Sequence, residues 1–185
     1  KTTFAELLMK DFVSDVNFLN TDSYIIDSSM RKYADIDYTY NAIPYRSKMT
    51  ACHPAAHHIA SLERDICMLK NGMDILTIDT HYSPSEVLRS QNKITIVEGM
   101  CVAFTNPALY DLLIYFYTDG DTEFDRRAIR DVNERGMDIE YLKQSHNDRR
   151  MQYEIFMHPY SENFDIIIKS SHIEHTLIEK NTFAF

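Results

Sequence analysis

The chain has 185 residues, 44% of them hydrophobic, which is enough for one compact α/β domain with a real core. A formal net charge of −9 and the lack of any Lys/Arg-rich run argue against a nucleic-acid surface, because neutralising phosphates needs clustered cations. The longest strongly apolar stretch, Leu112 to Tyr117, falls far short of the about 20 residues of a membrane span, and no signal-peptide pattern opens the sequence as given.

Cys52, Cys67 and Cys101 lack CxxC spacing. They fit free thiols in a reducing, cytoplasmic setting better than a disulfide framework. With 4 Gly and 5 Pro there is no linker-like tract and no repeat, so residues 1–185 are expected to form a single domain.

Lys1-Thr2-Thr3 leads into an amphipathic helix with Phe4, Leu7, Leu8 and Phe12 on one face. Val16 to Leu19 reads as a short strand ending at Asn20-Thr21-Asp22. Residues 23–51, rich in Tyr and Asp, read as irregular loops on the substrate side. Pro54 starts a helix whose Ile59, Leu62, Ile66 and Leu69 form a stripe that Asn71-Gly72 ends. Ile94 to Val97 and Leu112 to Tyr117 have the apolar, β-branched or aromatic make-up of strands covered on both faces. Asp121 opens a helix with Phe124, Ala128, Ile129 and Val132 inward, ending at Gly136; another runs over about 138–156. Phe164 to Ile168 is a last buried strand. Alternating strands and helices predict a doubly wound parallel sheet that binds ligands at the C-terminal edge of its strands.

Four features carry chemistry. Alone, Lys1-Thr2-Thr3 is an ordinary basic segment; before an amphipathic helix it matches the tail of G-x-x-x-x-G-K-[ST]. There the Lys reaches β- and γ-phosphates, the next hydroxyl ligates Mg²⁺, and the helix N-terminus adds partial positive charge. The strand and Gly-rich loop of that pattern are expected to precede Lys1. Asp22 follows a strand, where a carboxylate can take the proton of a substrate hydroxyl, or simply cap the next turn. Glu98 ends Ile94-Thr95-Ile96-Val97 before Gly99, a position suited to Mg²⁺ near phosphates or to an ordinary turn. In the run Asp125 to Gly136, Arg127 and Arg130 share a helical face and Arg135 sits at its end. Such guanidinium groups can clamp a transferring phosphoryl group, or form a solvated face with pairs such as Arg127–Asp131.

The run R-R-x-x-R-D-x-x-E-R-G resembles the mobile lid of the uridine kinase and phosphoribulokinase family. Lys1-Thr2, Thr21-Asp22-Ser23-Tyr24, His53-Pro54, Ile96 to Gly99, and Arg150 to Pro159 followed by Phe164 to Ile168 agree in the same order. The resemblance implies a P-loop kinase fold with an arginine-bearing lid over about 121–150. It implies ATP and Mg²⁺, with a small-molecule phosphoryl acceptor. It makes Asp22 the base, Thr2 and Glu98 the Mg²⁺ partners, and Lys1, Thr2 and Thr3 the phosphate loop. Arg127, Arg130 and Arg135 would be the lid and phosphate arginines. Tyr24, His53, Asp79 and His81 are the acceptor-side candidates. A homo-oligomer is compatible with the sequence.

Departures bear on the acceptor. Family nucleoside kinases carry Asp-His-Pro, whose Asp grips ribose hydroxyls; here Cys52-His53-Pro54 offers a thiol, no substitute for a bidentate carboxylate. The family's Tyr-Asp-Phe and following His read Ile78-Asp79-Thr80-His81-Tyr82. Arg31, Lys32, Arg46 and Lys48 could receive an anionic sugar, or be solvated loop charges. Cys52, His53 and His57 are poorly spaced for zinc, and a histidine cluster at a helix start is the better reading. Tyrosines from Tyr33 to Tyr45 stack on a base or pack on the domain. The readings are a uridine- or cytidine-type nucleoside kinase, a kinase of a phosphorylated sugar or other metabolite, and a non-catalytic nucleotide-binding protein.

Overall fold

A computed structural model describes residues 1–12, 15–134, 136, 138–172 and 175–183. In chain order the elements are α1 (Thr2–Asp11), β1 (Val16–Asn20), α2 (Ser28–Arg31), β2 (Asp35–Tyr40), β3 (Ile43–Lys48) and α3 (Ile59–Lys70). These are followed by β4 (Ile75–Leu76), β5 (Val87–Leu88), β6 (Ile94–Glu98), β7 (Ile114–Tyr117), α4 (Gly120–Arg127), α5 (Ile139–Gln152), β8 (Ile166–Ser171) and β9 (His175–Asn181). The chain divides into two compact units, Lys1–Arg31 with Pro54–Leu109, and Lys32–His53 with Tyr110–Phe185.

In the first unit β1 and β6 pair in parallel, from Val16 opposite Ile94 to Asn20 opposite Glu98. Both strands therefore end at one edge. Asn17, a polar residue within β1, is buried yet fully bonded. Its Nδ2 donates to the Arg89 carbonyl at 2.9 Å and Thr95 Oγ1 at 3.2 Å. Its Oδ1 accepts from Arg89 N at 3.1 Å and Asn92 Nδ2 at 2.9 Å. The expected stripe of α3 is the core, with Leu62, Ile66 and Leu69 buried and Ile59 half-buried. The helix stops as Asn71-Gly72 requires. Gly72 takes φ +78°, its N–H bonds Leu69 O at 3.1 Å, and Met73 N–H bonds Met68 O at 2.9 Å. This double closure needs a left-handed residue, which glycine supplies without strain.

Helix α1 forms, but its stripe is not covered as expected. Ala5 is buried, while Phe4, Leu7 and Phe12 are 36%, 55% and 41% exposed. Periodicity says which face is apolar, not what lies on it.

The second unit corrects the irregular reading of residues 23–51. Strands β2 and β3 form an antiparallel hairpin, from Asp35 opposite Lys48 to Tyr40 opposite Ile43. Its turn places Asn41 and Ala42 at φ 50° and 63°. Two-residue hairpin turns require such angles, and Asn-Ala lacks the glycine that usually announces them. Tyr38 is buried, stacks on Tyr45 with ring centroids 5.8 Å apart, and meets Phe156 edge-on. The tyrosines resolved in this hairpin thus pack within the unit.

Strands β7 and β8 pair in parallel, and β9 adds an antiparallel edge that the sequence reading did not foresee. Asp119 and Asp138 cap α4 and α5, accepting from Thr122 N at 2.8 Å and Tyr141 N at 2.9 Å. After α4 the backbone opens into a π-helical turn over Ala128–Glu134. The wider turn shifts the helical phase, so Ile129 is 61% exposed rather than inward and Asp131 is buried. A second π-helical turn, Tyr153–Met157, follows α5.

Gln152 is fully buried and joins α5 to the hairpin. Its Oε1 accepts from Thr50 N at 2.8 Å and Thr50 Oγ1 at 2.7 Å. Its Nε2 donates to Ser47 Oγ at 3.0 Å and the Lys48 carbonyl at 2.9 Å. Gln152→Leu would remove all four bonds and leave several groups unpaired. We expect a loss of about 3 kcal/mol, at about 1–3 kcal/mol per stranded group with partial rescue by water, read as a lowered urea midpoint.

Candidate active site

The parallel register of β1 and β6 decides what meets at their common edge. Beyond β1, Asn20-Thr21-Asp22 turns into a 3₁₀ turn, Thr21–Tyr24. Asn20 Oδ1 accepts from Asp22 N at 2.8 Å and fixes the first bend. Asp22 itself is exposed. Beyond β6, Glu98 is followed by Gly99 at φ +144°.

Lys1 stands at the N-cap of α1, where its carbonyl accepts from Ala5 N at 3.0 Å. Its Nζ lies 2.9 Å from Glu98 Oε1, and Thr2 Oγ1 donates to Glu98 Oε2 at 3.3 Å. The Glu98 side chain is 10% exposed and the Lys1 side chain 44%. A nearly buried carboxylate at a strand end is thus held by an ammonium and a hydroxyl from the first turn of a helix. Thr3 is exposed on that turn. Lys1, Thr2 and Glu98 come together, and Asp22 occupies the same strand-end edge.

Tyr24 is placed differently from the sequence expectation. It is 0% exposed, and its hydroxyl donates to Asp65 Oδ2 at 2.6 Å. Burial, then the Asp65 bond and charge, push the phenol well above its ordinary range. Asp65 is itself buried and carries Arg64, with Nη2 2.6 Å from Oδ1. Tyr24 is therefore an anchor beneath the Asp22 turn rather than an acceptor contact. A residue two positions from a candidate carboxylate shares its motif whether it faces the site or the core, and only burial separates the two.

Asp79 and His81 are exposed. Asp79 Oδ1 accepts from Ser85 N at 3.1 Å, and His81 meets Tyr82 edge-on at 4.7 Å. Tyr82, which the motifs did not single out, donates its hydroxyl to the Asp22 carbonyl at 2.9 Å. Burial, then the Asp22 charge, raise its pKa. No spacing rule would have found it.

The remaining candidates lie in the second unit. Arg130 forks onto Asp131, Nε to Oδ1 at 2.8 Å and Nη2 to Oδ2 at 3.2 Å. Arg127 Nε lies 3.6 Å from Asp131 Oδ2, the i,i+4 pair expected from the sequence. Arg127 Nη1 is buried with no hydrogen-bond partner among the described residues. Burial, then the neighbouring Arg149, lower the Arg127 pKa. Arg149 and Arg150 flank Glu123, at 3.0 and 3.6 Å. Arg135 lies outside the described residues. His53 packs edge-on against Phe156 at 4.6 Å, and burial holds its pKa down. Cys52 is 1% exposed and burial pushes its thiol up, so it stays neutral. Among the described residues no group of three or more His, Cys, Asp or Glu is arranged to hold a metal ion. No helix is long and apolar enough to cross a membrane in the same set.

An α/β fold that gathers a helix start, a lysine and two strand-end carboxylates is the framework of a phosphate-handling enzyme. The profile of the Phosphoribulokinase / Uridine kinase family matches residues 1–176, and the chain belongs to that family of ATP-dependent kinases. It is 30% identical over 181 residues to the uridine kinase of Clostridium perfringens (strain SM101 / Type A), covering 91% of this chain and 80% of the relative. Against the uridine kinase of Shewanella frigidimarina (strain NCIMB 400) the figures are 30% over 177 residues, 91% and 78%. The chloroplastic phosphoribulokinase of Arabidopsis thaliana is 28% identical over 129 residues, 66% of this chain and 32% of that one. The solved phosphoribulokinase from Rhodobacter spheroides superposes with a TM-score of 0.65 at 18% identity, covering 91% of this chain. The chain spans 64% of that protein's length, and the likeness establishes a P-loop kinase fold.

Tyr24→Phe removes one buried hydrogen bond to a charged partner, worth about 1.5–3 kcal/mol. We expect stability to fall by that order while the KM of the acceptor is unchanged. Denaturant titration and steady-state kinetics check both halves.

Proposed function

We propose that this chain transfers the γ-phosphoryl group of ATP to a hydroxyl of a small molecule, with a nucleoside as the first-ranked acceptor. One observation carries the reading. Lys1 and Thr2 at the head of α1 bond the Glu98 carboxylate, at the strand edge that also bears Asp22. The uridine kinases at 30% identity support a nucleoside.

In this reading Lys1 and the first-turn amides of α1, Thr3 included, receive the phosphates. Thr2 and Glu98 present oxygen donors, which suit Mg²⁺, a hard cation that takes one or two carboxylates and completes its shell with phosphate and water. Mg²⁺ would supply charge neutralisation along the phosphates. Asp22 accepts the proton of the attacking hydroxyl as the new O–P bond forms and the bond to the β-γ bridging oxygen breaks, with ADP as the leaving group. Arg127, Arg130 and Arg135 act as the arginines of a lid spanning about 121–150 that closes over the phosphates. His53, Asp79 and His81 remain the acceptor-side candidates.

A second reading, a phosphorylated sugar as acceptor, is favoured by Cys52. A neutral thiol at 1% exposure cannot grip a ribose diol as a carboxylate does. A coupled ADP-release screen of nucleosides, pentose phosphates and pantothenate with MgATP separates the readings. Turnover with uridine or cytidine supports the first and turnover with a pentose phosphate alone supports the second. ADP release with none of them overturns both readings of the acceptor.

Asp22→Asn keeps the shape of the side chain but removes the proton acceptor. We expect kcat to fall by about 10²-fold or more with ATP still bound. Glu98→Gln should in addition weaken Mg²⁺-dependent nucleotide binding, measured by calorimetry. Near wild-type turnover by Asp22→Asn removes Asp22 as the base.

A further inference from the structure

The two strand ends that carry Asp22 and Glu98 touch at a point the family motifs do not explain. Thr21, immediately before Asp22, is 0% exposed, and its Oγ1 is buried with no hydrogen-bond partner among the described residues. Gly99, immediately after Glu98, has φ +144° and ψ −177°. A Cβ built on Gly99 would overlap Thr21 Oγ1, and would stand 3.1 Å from Thr21 Cβ and 3.3 Å from Thr21 N. The Thr21 hydroxyl thus fills the volume a side chain at position 99 would take. A buried hydroxyl with no partner is unfavourable, so hydrogen bonding does not explain its place. Shape does: the branched side chain fills the gap between the turns, and only glycine permits both the approach and the backbone angle.

We infer that Gly99 and Thr21 are a positioning pair that sets the placement of the Asp22 turn against the Glu98 strand end. The inference rests on the phosphoryl-transfer reading above, in which Asp22 is the base. The turn is also held independently, by Tyr82 on the Asp22 carbonyl at 2.9 Å and Tyr24 on Asp65 at 2.6 Å. A wedge at Gly99 therefore cannot be absorbed by sliding the turn freely. It changes the spacing between the Asp22 turn and the Glu98 strand end, while the bonds from Lys1 and Thr2 keep hold of the Glu98 carboxylate.

The test is a set of full-chain variants assayed by ADP formation from MgATP with uridine, or with the acceptor the screen returns. Gly99→Ala should lower kcat on the order of 10²-fold, the scale of a displacement of about 1 Å in a reacting group. Its ATP affinity, measured by calorimetry, should stay within about threefold of wild type, a split that general misfolding would not give. Adding Thr21→Ala removes the overlapping oxygen and should restore at least tenfold of the loss, incompletely because the backbone angle stays strained. In an Asp22→Asn background Gly99→Ala should cost less than about threefold, because a misplaced base that is already absent costs nothing more.

Full turnover by Gly99→Ala overturns the inference, as does a double variant no faster than the single one. So does a Gly99→Ala effect that simply multiplies with Asp22→Asn. Where Gly99→Ala does not fold, Thr21→Ala alone carries the test. Loosening the wedge should lower kcat several-fold at unchanged ATP affinity, and unchanged kcat overturns the pairing. Wild-type turnover by Asp22→Asn instead overturns the base assignment, a result distinct from any of these.

Discussion

The alignment of β1 with β6 is the constraint on which the rest of the candidate site depends. Parallel strands deliver their C-terminal ends to one edge, so the residues that follow each strand must meet there. Asn20 opposite Glu98 fixes that meeting to the residue. A slip of one position would turn the Glu98 side chain to the other face of the sheet and away from Lys1 and Thr2. An all-apolar strand would guard poorly against such a slip. Asn17 supplies the specificity, since its four hydrogen bonds to Arg89, Asn92 and Thr95 exist in a single register. A buried polar residue here contributes alignment more than net stability, and the chemistry at the strand ends inherits it.

Charge is placed with the same economy. The chain carries −9 overall, so it does not attract anions as a body, and any phosphate must be held by local arrangement. In the first unit Lys1 sits on Glu98 at the start of α1. In the second, Arg149 and Arg150 converge on Glu123 while Arg127 and Arg130 share Asp131. There the guanidinium groups outnumber the carboxylates they lean on. Burial lowers the pKa of His146, and Arg127, Arg150 and Arg149 push the same way against Glu123. The imidazole thereby avoids adding another positive charge. Such a cluster holds its arginines in defined directions without neutralising them, a prerequisite for meeting an anion in a fixed geometry.

Much of this was legible because the signals are local. The β-branched run before Glu98, the stripe and Asn-Gly stop of α3, and the start of α5 at Asp138 are written in neighbouring residues. What escaped the sequence depends on backbone angles without a residue signature or on partners far along the chain. The Asn41-Ala42 turn uses left-handed angles without a glycine, so the hairpin resembled a polar loop. The π-helical turn after Arg127 changes the helical phase, which a fixed period cannot anticipate. Tyr24 and Asp22 sit in one motif, but one faces Asp65 in the core and the other faces solvent. The overlap between Thr21 and position 99 is a distance between two strand ends, and no spacing in one dimension records it.

The altered triplet at Cys52 gains meaning from its surroundings. Thr50 bonds Gln152 twice and its Oγ1 accepts from Cys52 N at 3.2 Å, so residues 50–52 and α5 form one packed joint with the β2–β3 hairpin. Met49, Ala51 and Cys52 are all buried there, and Gln152 is fully buried with both ends of its amide bonded. Groups so committed cannot also present polar atoms to a ligand without breaking the joint. A carboxylate at position 52 would have to be desolvated, with Arg149 as the nearby cation to compensate it; a neutral thiol avoids that penalty. A thiol at position 52 thus suits a well-packed interior, whereas Asp79 and His81 keep their side chains exposed.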